Sequence, residues 1–336
     1  MHILINDFIG GVLDRGIPLY VRNLADGLRQ EGFGVSIVRA PAICRKLPRG
    51  IFYIIAVFVE QTMLPLIGWW SGADVTLYPY NSVSVIDLLT RRGRIVVHDL
   101  EQLNRGMSPS KAYFLACYRA IKWLNRPLFT ISTLSRQRII ASGLFGSGAV
   151  TILPNTFYAF EGFLSAAAPQ REAKTSILLC SGSTANKDLE SVIADFLPKA
   201  LAGGYRVSVL GLHKTADTQR FASLATYLQS GQLRVCGQLS DRDVAAEYQA
   251  HEIVWVHSLR EGFGRCVVEG RLAGSRVICT DIPEFAELRD TEVHLYKDAA
   301  EFMTALDRLA RTDTAIGPYE GYRYRELLRN AIKGGL

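Results

Sequence analysis

The sequence predicts an α/β protein built from two doubly wound halves, and three observations carry that reading. Short strands rich in Val, Ile and Leu alternate with amphipathic helical stretches along the chain, the pattern of parallel βαβ units. The alternation breaks once, at a small, polar, proline-containing stretch over 159–174, and then restarts. With 336 residues, 49% hydrophobic and 21% charged, the chain is long and apolar enough for two domains that each bury a core.

In the first half, His2–Asn6 reads as a strand, Gly10-Gly11 as a turn, and Ile17–Glu31 as a helix with Leu19, Val21, Leu24 and Leu28 at helical spacing. Val35–Arg39, Val75–Tyr78, Arg94–Val97 and Leu128–Ile131 follow as strands. After the break, Ser176–Cys180 opens the second half, with a helix from about Leu189. Arg206–Leu210 and Gln232–Cys236 are further strands, and Ile253–His257 with Arg276–Thr280 are expected to complete the sheet. Tyr319–Ile332 reads as one amphipathic helix.

Several functional classes are disfavoured. The start, Met1 to Asp7, reads as a core strand and lacks the basic and apolar regions of a signal peptide. Cys44, Cys117, Cys180, Cys236, Cys266 and Cys279 are dispersed without a C-x-x-C pair, as expected for reduced, mostly buried thiols in a cytoplasmic protein, and no zinc site is expected. The net charge of +6 suits an anionic partner, but no nucleic-acid-binding signature accompanies it, so no nucleic-acid partner is expected. Ile51–Trp70 is apolar and aromatic, with Arg39, Arg45, Lys46 and Arg49 upstream; Glu60-Gln61-Thr62 and Pro65 interrupt it, which argues against a membrane span. Two readings stay open: a buried core helix, or a surface that also rests on the membrane interface.

Chemistry concentrates at Glu261-Gly262-Phe263-Gly264-Arg265-Cys266-Val267-Val268-Glu269. A glycine-containing turn between a strand and a helix presents backbone N–H groups to an anion above the sheet. Glu261 precedes the helix and Glu269 lies inside it, so two carboxylates of different depth flank an anion site. A ligand with phosphates and many hydroxyls, such as a nucleotide sugar, fits that pairing.

The segment resembles the E-x7-E signature of retaining GT-B glycosyltransferases of family 4 (glycosyl transferases group 1). The resemblance implies two Rossmann-like domains facing a cleft: an acceptor-binding domain over 1–160, a nucleotide-sugar-binding domain over 161–315, and a C-terminal helix over 316–336 returning to the first domain. Further matches follow in the family's order: Gly10-Gly11, Val97-His98-Asp99, Ser132-Thr133-Leu134-Ser135-Arg136, Leu153-Pro154-Asn155, Lys187, the E-x7-E segment, and Asp281-Ile282-Pro283-Glu284. By resemblance, Glu261 contacts the donor sugar, Glu269 the ribose, His98 a sugar hydroxyl, and Lys187 the leaving diphosphate. Gly10, Gly11, Gly262, Phe263 and Gly264 would lie along the donor, and Gly237 at its base. Ser132 and Ser135 serve equally well as helix N-caps, so no catalysis is assigned to them. Family members often carry an arginine shortly before the lysine; Ser183 or Thr184 stands there in this chain, leaving His213-Lys214 or Arg260 to supply the charge.

The implied reaction moves a hexose-type sugar to a saccharide hydroxyl with retention, the leaving phosphate taking the acceptor proton, without metal or other cofactor. The first-half apolar and basic residues point to a lipid-linked acceptor in cell-surface polysaccharide, lipopolysaccharide or O-antigen synthesis, on the inner face of an anionic membrane. A nucleotide-sugar epimerase or phosphorylase on the same architecture, or a non-catalytic nucleotide-sugar-binding protein, are the competing readings.

Overall fold

A computed structural model describes the whole chain apart from residues 13–15, 101, 102, 104, 105, 107, 146–149, 165–174, 183, 213–217, 313 and 314. Two compact units result: Met1–Tyr158 with Arg323–Leu336, and Ala159–Tyr322. Ser183, His213, Lys214 and most of the stretch read as a linker lie outside the described residues.

The first unit's sheet holds β1 (His2–Asp7), β2 (Gly34–Arg39), β3 (Val75–Tyr78), β4 (Gly93–Val97), β5 (Leu128–Thr130) and β6 (Val150–Ile152). All its pairings are parallel, in the order β2-β1-β3-β4-β5-β6. The helices α1 (Gly16–Gln30), α2 (Arg49–Phe58), α3 (Leu64–Trp70), α4 (Val85–Leu89), α5 (Pro109–Trp123) and α6 (Thr133–Ala141) supply the crossovers. Ser132 caps α6 by accepting from the Ser135 N–H at 3.1 Å. Gly10 and Gly11 form part of a 3-10 turn over Ile9–Gly11 at the carboxyl end of β1.

After α7 (Tyr158–Phe163), the second unit's sheet holds β7 (Ser176–Cys180), β8 (Arg206–Leu210), β9 (Leu233–Gly237), β10 (Ile253–Val256), β11 (Arg276–Thr280) and β12 (Val293–Tyr296). Its order is β12-β11-β10-β7-β8-β9, again all parallel. The sheet does not end at Arg276–Thr280 as expected, because β12 pairs with β11. Its helices are α8 (Leu189–Ser191), α9 (Leu197–Ala202), α10 (Ala225–Gln229), α11 (Asp241–Ala250), α12 (Arg265–Leu272), α13 (Pro283–Ala286) and α14 (Ala299–Ala310). Trp255, Phe196, Tyr296 and Phe302 anchor the core of one face.

The last helix, α15 (Tyr324–Lys333), belongs to the first unit. Tyr324 packs edge-on against Phe157 and Tyr158, and Arg329 pairs with Glu31 of the α1 turn at 3.2 Å. This helix starts five residues later than the pattern suggests. Tyr319 donates its hydroxyl to the Leu288 carbonyl at 3.1 Å, and 319–322 stay with the second unit.

Ile51–Trp70 departs most from expectation. Arg49–Trp70 forms one helical run of 22 residues; its most apolar 18-residue window has mean hydropathy 1.8 and is only 28% buried, so the buried-core reading of this segment fails. Glu60-Gln61-Thr62 do not interrupt it, and Pro65 directly follows the π turn, with Ser84 Oγ donating to the Gln61 carbonyl that a proline N–H cannot serve. The buried positions Phe52, Ala56, Glu60, Leu64 and Gly68 recur every four residues. An α-helix turns about 100° per residue, so such a stripe would drift by about 40° at each step. The wide π turn over Val59–Met63 rotates it back, keeping one edge on the sheet and the opposite edge outward.

Glu60 occupies that π turn facing inward, where Tyr113 (2.6 Å), Ser82 (2.9 Å) and Asn6 (3.1 Å) donate to its carboxyl. Burial pushes the carboxyl up to about 7 in spite of these donors. Between its ordinary value of 4.5 and about 7 the native state therefore holds a proton that the unfolded chain releases. Glu60's contribution to stability is full below that window and is lost as pH rises through it. Glu60→Gln is expected to flatten this loss, seen as a smaller difference in urea midpoint between about pH 5 and about pH 8 than in the parent protein; an unchanged difference contradicts the assignment.

Candidate functional site

Open parallel sheets bind ligands beyond the carboxyl ends of their strands, at the point where the strand order reverses. In the second unit that point falls between β7 and β10, since the chain winds outward through β8 and β9 and then returns to the other side of β7. Lys187 follows β7 and Glu261 follows β10, and the structure joins them: the Lys187 ammonium donates to Glu261 Oε1 at 2.5 Å, each side chain 17% exposed.

The loops that carry them are bonded to each other. Ser258 Oγ donates to the carbonyls of Asn186 (2.8 Å) and Arg260 (2.9 Å), the Leu259 N–H donates to the Asn186 carbonyl, and Asn186 Nδ2 donates to the Arg260 carbonyl. Burial by itself would lower the Lys187 pKa; the neighbouring Cys266 sulfur and Glu261 carboxylate outweigh it, and the ammonium is held charged. Cys266, in the first turn of α12, has its thiol pKa lowered by a hydrogen bond from Cys180 and by Lys187, against burial.

Gly264 makes the turn into α12 possible. It is the N-cap at φ 93°, ψ 46°, and a Cβ there would meet the Phe285 ring at 2.8 Å. Phe263 turns into the unit, 6% exposed, its ring 4.7 Å from that of Tyr322. Gly262 lies in the same turn, between Glu261 and that ring. One turn into α12, Glu269 accepts from Arg265 at 2.9 Å and from the Tyr248 hydroxyl at 3.1 Å. Sequence reasoning missed both partners: the i,i+4 spacing of Arg265 and Glu269 was a usable signal, whereas Tyr248 on α11 carried none. Gly237 ends β9, two strands from β7, and is not among the residues gathered at the switch point. Asp281-Ile282-Pro283-Glu284 leads from β11 into α13.

In the first unit the order reverses between β1 and β3. Gly10 sits at the end of β1, where a Cβ would lie 2.1 Å from Asp7 Oδ1 and 2.4 Å from the Tyr80 hydroxyl. Only glycine leaves room for buried Asp7 to accept from Tyr80 (2.7 Å) and from Arg39 Nε (2.6 Å). Gly11 closes the same 3-10 turn. His98 follows β4, 7% exposed, with its ring edge-on to Tyr20 at 4.7 Å. Burial lowers it to about 4, partly offset by a hydrogen bond to the Pro79 backbone, so the imidazole is neutral at pH 7. Its buried Nε2 has no partner among the described residues, which leaves an acceptor in place.

Residues 175–312, the segment that holds Lys187, Glu261 and Glu269, match the family described as Glycosyl transferases group 1. Sucrose-phosphate synthase from Thermosynechococcus elongatus superposes on 98% of this chain and 94% of its own, with TM-score 0.64 and 17% identity. Anabaena HepE in complex with UDP-glucose does so over 99% and 100%, at TM-score 0.59 and 14% identity. UDP-GlcNAc 2-epimerase from Methanocaldococcus jannaschii matches over 99% of both chains, at TM-score 0.63 and 10% identity. No curated protein sequence matches the chain. The shared fold is GT-B, and the protein is a glycosyltransferase.

Among the described residues of this glycosyltransferase, no group of three or more His, Cys, Asp or Glu side chains is placed to hold a metal ion. Gly264→Ala forces an L-residue into left-handed backbone against the Phe285 ring. It is expected to destabilise the protein by at least about 1–2 kcal/mol, read as a lowered urea midpoint; a parent-like midpoint contradicts the tight turn.

Proposed function

We propose that this glycosyltransferase moves a hexose-type sugar from a nucleoside diphosphate donor to a saccharide hydroxyl with retention at the anomeric carbon. What carries the reading is the Lys187–Glu261 pair at the switch point of the second sheet, beside the start of α12. A diphosphate bound there meets the Lys187 ammonium and the first-turn amides of α12, charges that are in place before the leaving group develops its own. These groups, without a metal ion, would stabilise the departing phosphate, which takes the acceptor proton. Glu261, freed in part as Lys187 turns to phosphate, would accept from sugar hydroxyls.

Glu269 would accept from the ribose diol, Gly237 would lie at the base, and Gly262, Phe263 and Gly264 would shape the donor turn. His98, neutral and with no partner for Nε2 among the described residues, would accept a hydrogen bond from a donor-sugar hydroxyl. Gly10 and Gly11 would border the donor from the first unit, and Arg260 or Arg265 would stand in for the arginine that relatives carry before the lysine.

The acceptor we assign is lipid-linked, in cell-surface polysaccharide, lipopolysaccharide or O-antigen synthesis, with the protein on the cytoplasmic face of the membrane. Its support is the half-exposed apolar helix Arg49–Trp70 in the unit assigned to the acceptor. The structural likeness to a UDP-GlcNAc 2-epimerase favours one other reading, rearrangement of the nucleotide sugar without an acceptor. Product analysis separates them: an epimerised donor without glycoside product supports epimerisation.

Lys187→Ala is expected to weaken nucleoside diphosphate binding by about 1.5–3 kcal/mol, the worth of a hydrogen bond to a charged group. Isothermal titration with UDP, GDP and dTDP is the measurement; unchanged affinity for whichever diphosphate the parent binds removes Lys187 from the site.

A further inference from the structure

The outward edge of Arg49–Trp70 is apolar along its length: Ile54 is 73% exposed, Phe58 57%, Leu66 54%, Trp69 72% and Trp70 92%. Exposed apolar surface of this extent marks an interaction site. At the Trp70 end it continues into a groove of about 440 Å³ between α3 and α4, walled by Pro65, Leu66, Trp69 and Ile86, with Arg92 at its border. Asp87 also lines the groove, but its carboxyl is buried and accepts from the Tyr78 hydroxyl at 2.6 Å. Arg91 lies exposed next to Arg92, and Lys46 and Arg49 lie exposed at the other end of the run.

The groove's position excludes the sugar acceptor as occupant. Trp70 precedes β3 and Arg92 precedes β4, so the groove opens at the amino ends of these strands, whereas Gly10 and His98 lie at the carboxyl ends. A second copy of the chain fits poorly too. An isologous contact would set this patch against itself and bring its basic ends together. An anionic bilayer offers apolar chains and opposite charge at once, and tryptophans flanked by arginines suit its interface.

We propose that the groove between α3 and α4 seats one acyl chain of an anionic glycerophospholipid whose phosphate pairs with Arg91 and Arg92. The first unit thereby rests on the membrane along the exposed edge of α2 and α3. The proposal deepens the membrane part of the function proposed above, and is independent of the donor chemistry.

The test uses the full chain with vesicles of phosphatidylcholine alone, or mixed with phosphatidylglycerol, and with versions brominated in the acyl chains. Expected are flotation with the mixed vesicles only and quenching of tryptophan fluorescence by the brominated chains. Leu66→Gln with Ile86→Gln should abolish quenching. Arg91→Ala with Arg92→Ala should weaken vesicle binding roughly thirtyfold, from about 1 kcal/mol per basic residue. Parent-like melting curves by circular dichroism confirm that the variants fold, and unchanged diphosphate titration separates this proposal's failure from that of the glycosyl-transfer reading. No flotation with mixed vesicles, flotation without quenching, parent-like vesicle binding by the arginine variant, or a lipid-free dimer abolished by the Leu66/Ile86 variant would each overturn it.

Discussion

The ion pair between Lys187 and Glu261 is the contact around which the second unit's chemistry is organised. Two charges, each 17% exposed, are kept in that setting because each neutralises the other and the surrounding loops supply the remaining hydrogen bonds. The strand order makes the meeting possible: β7 and β10 are neighbours although some seventy residues separate them in sequence. Ser258 and Asn186 then fix the two loops at a single spacing. A second pair, Arg265 with Glu269, repeats the arrangement one turn into α12, so both carboxylates of the E-x7-E segment wait beside a cation. On the proposed function, a diphosphate would compete for either cation without leaving an uncompensated buried charge, since the released carboxylate would gain sugar or ribose hydroxyls in exchange.

The first unit solves a different problem. Its longest apolar segment must hold one edge on the sheet and leave the other outward, and the π turn at Val59–Met63 allows it to do so with a four-residue repeat. Glu60 is the polar group that turn brings inward, and three donors receive it. At the carboxyl edge of the same sheet, Gly10 admits the Asp7–Tyr80–Arg39 cluster and His98 keeps a neutral ring whose Nε2 has no partner among the described residues.

Much of this was legible in the sequence. Ten of the strands were evident because parallel strands buried on both faces read as continuous apolar runs, and the turn-rich E-x7-E segment was evident because glycine and charge interrupt such a run. Val150–Ile152 and Val293–Tyr296 were not, because a polar residue, Thr151 or His294, breaks each short apolar run. Glu60 and Pro65 misled as interruptions: a pattern read at 3.6 residues per turn cannot show a π turn, and it is beside that turn that the proline is accommodated. Tyr248 was invisible for a simpler reason, since its bond to Glu269 is made by packing between α11 and α12.

The central claim is that Glu261 reads the sugar while Lys187 holds the phosphates. Isothermal titration of Glu261→Gln against a nucleoside diphosphate and the corresponding nucleotide sugar tests it most directly. The variant keeps the shape of the side chain, removes its charge and leaves Lys187 in place. The account predicts that the advantage of the nucleotide sugar over the bare diphosphate disappears, while the diphosphate itself binds at least as tightly as to the parent. An advantage equal to the parent's would contradict it.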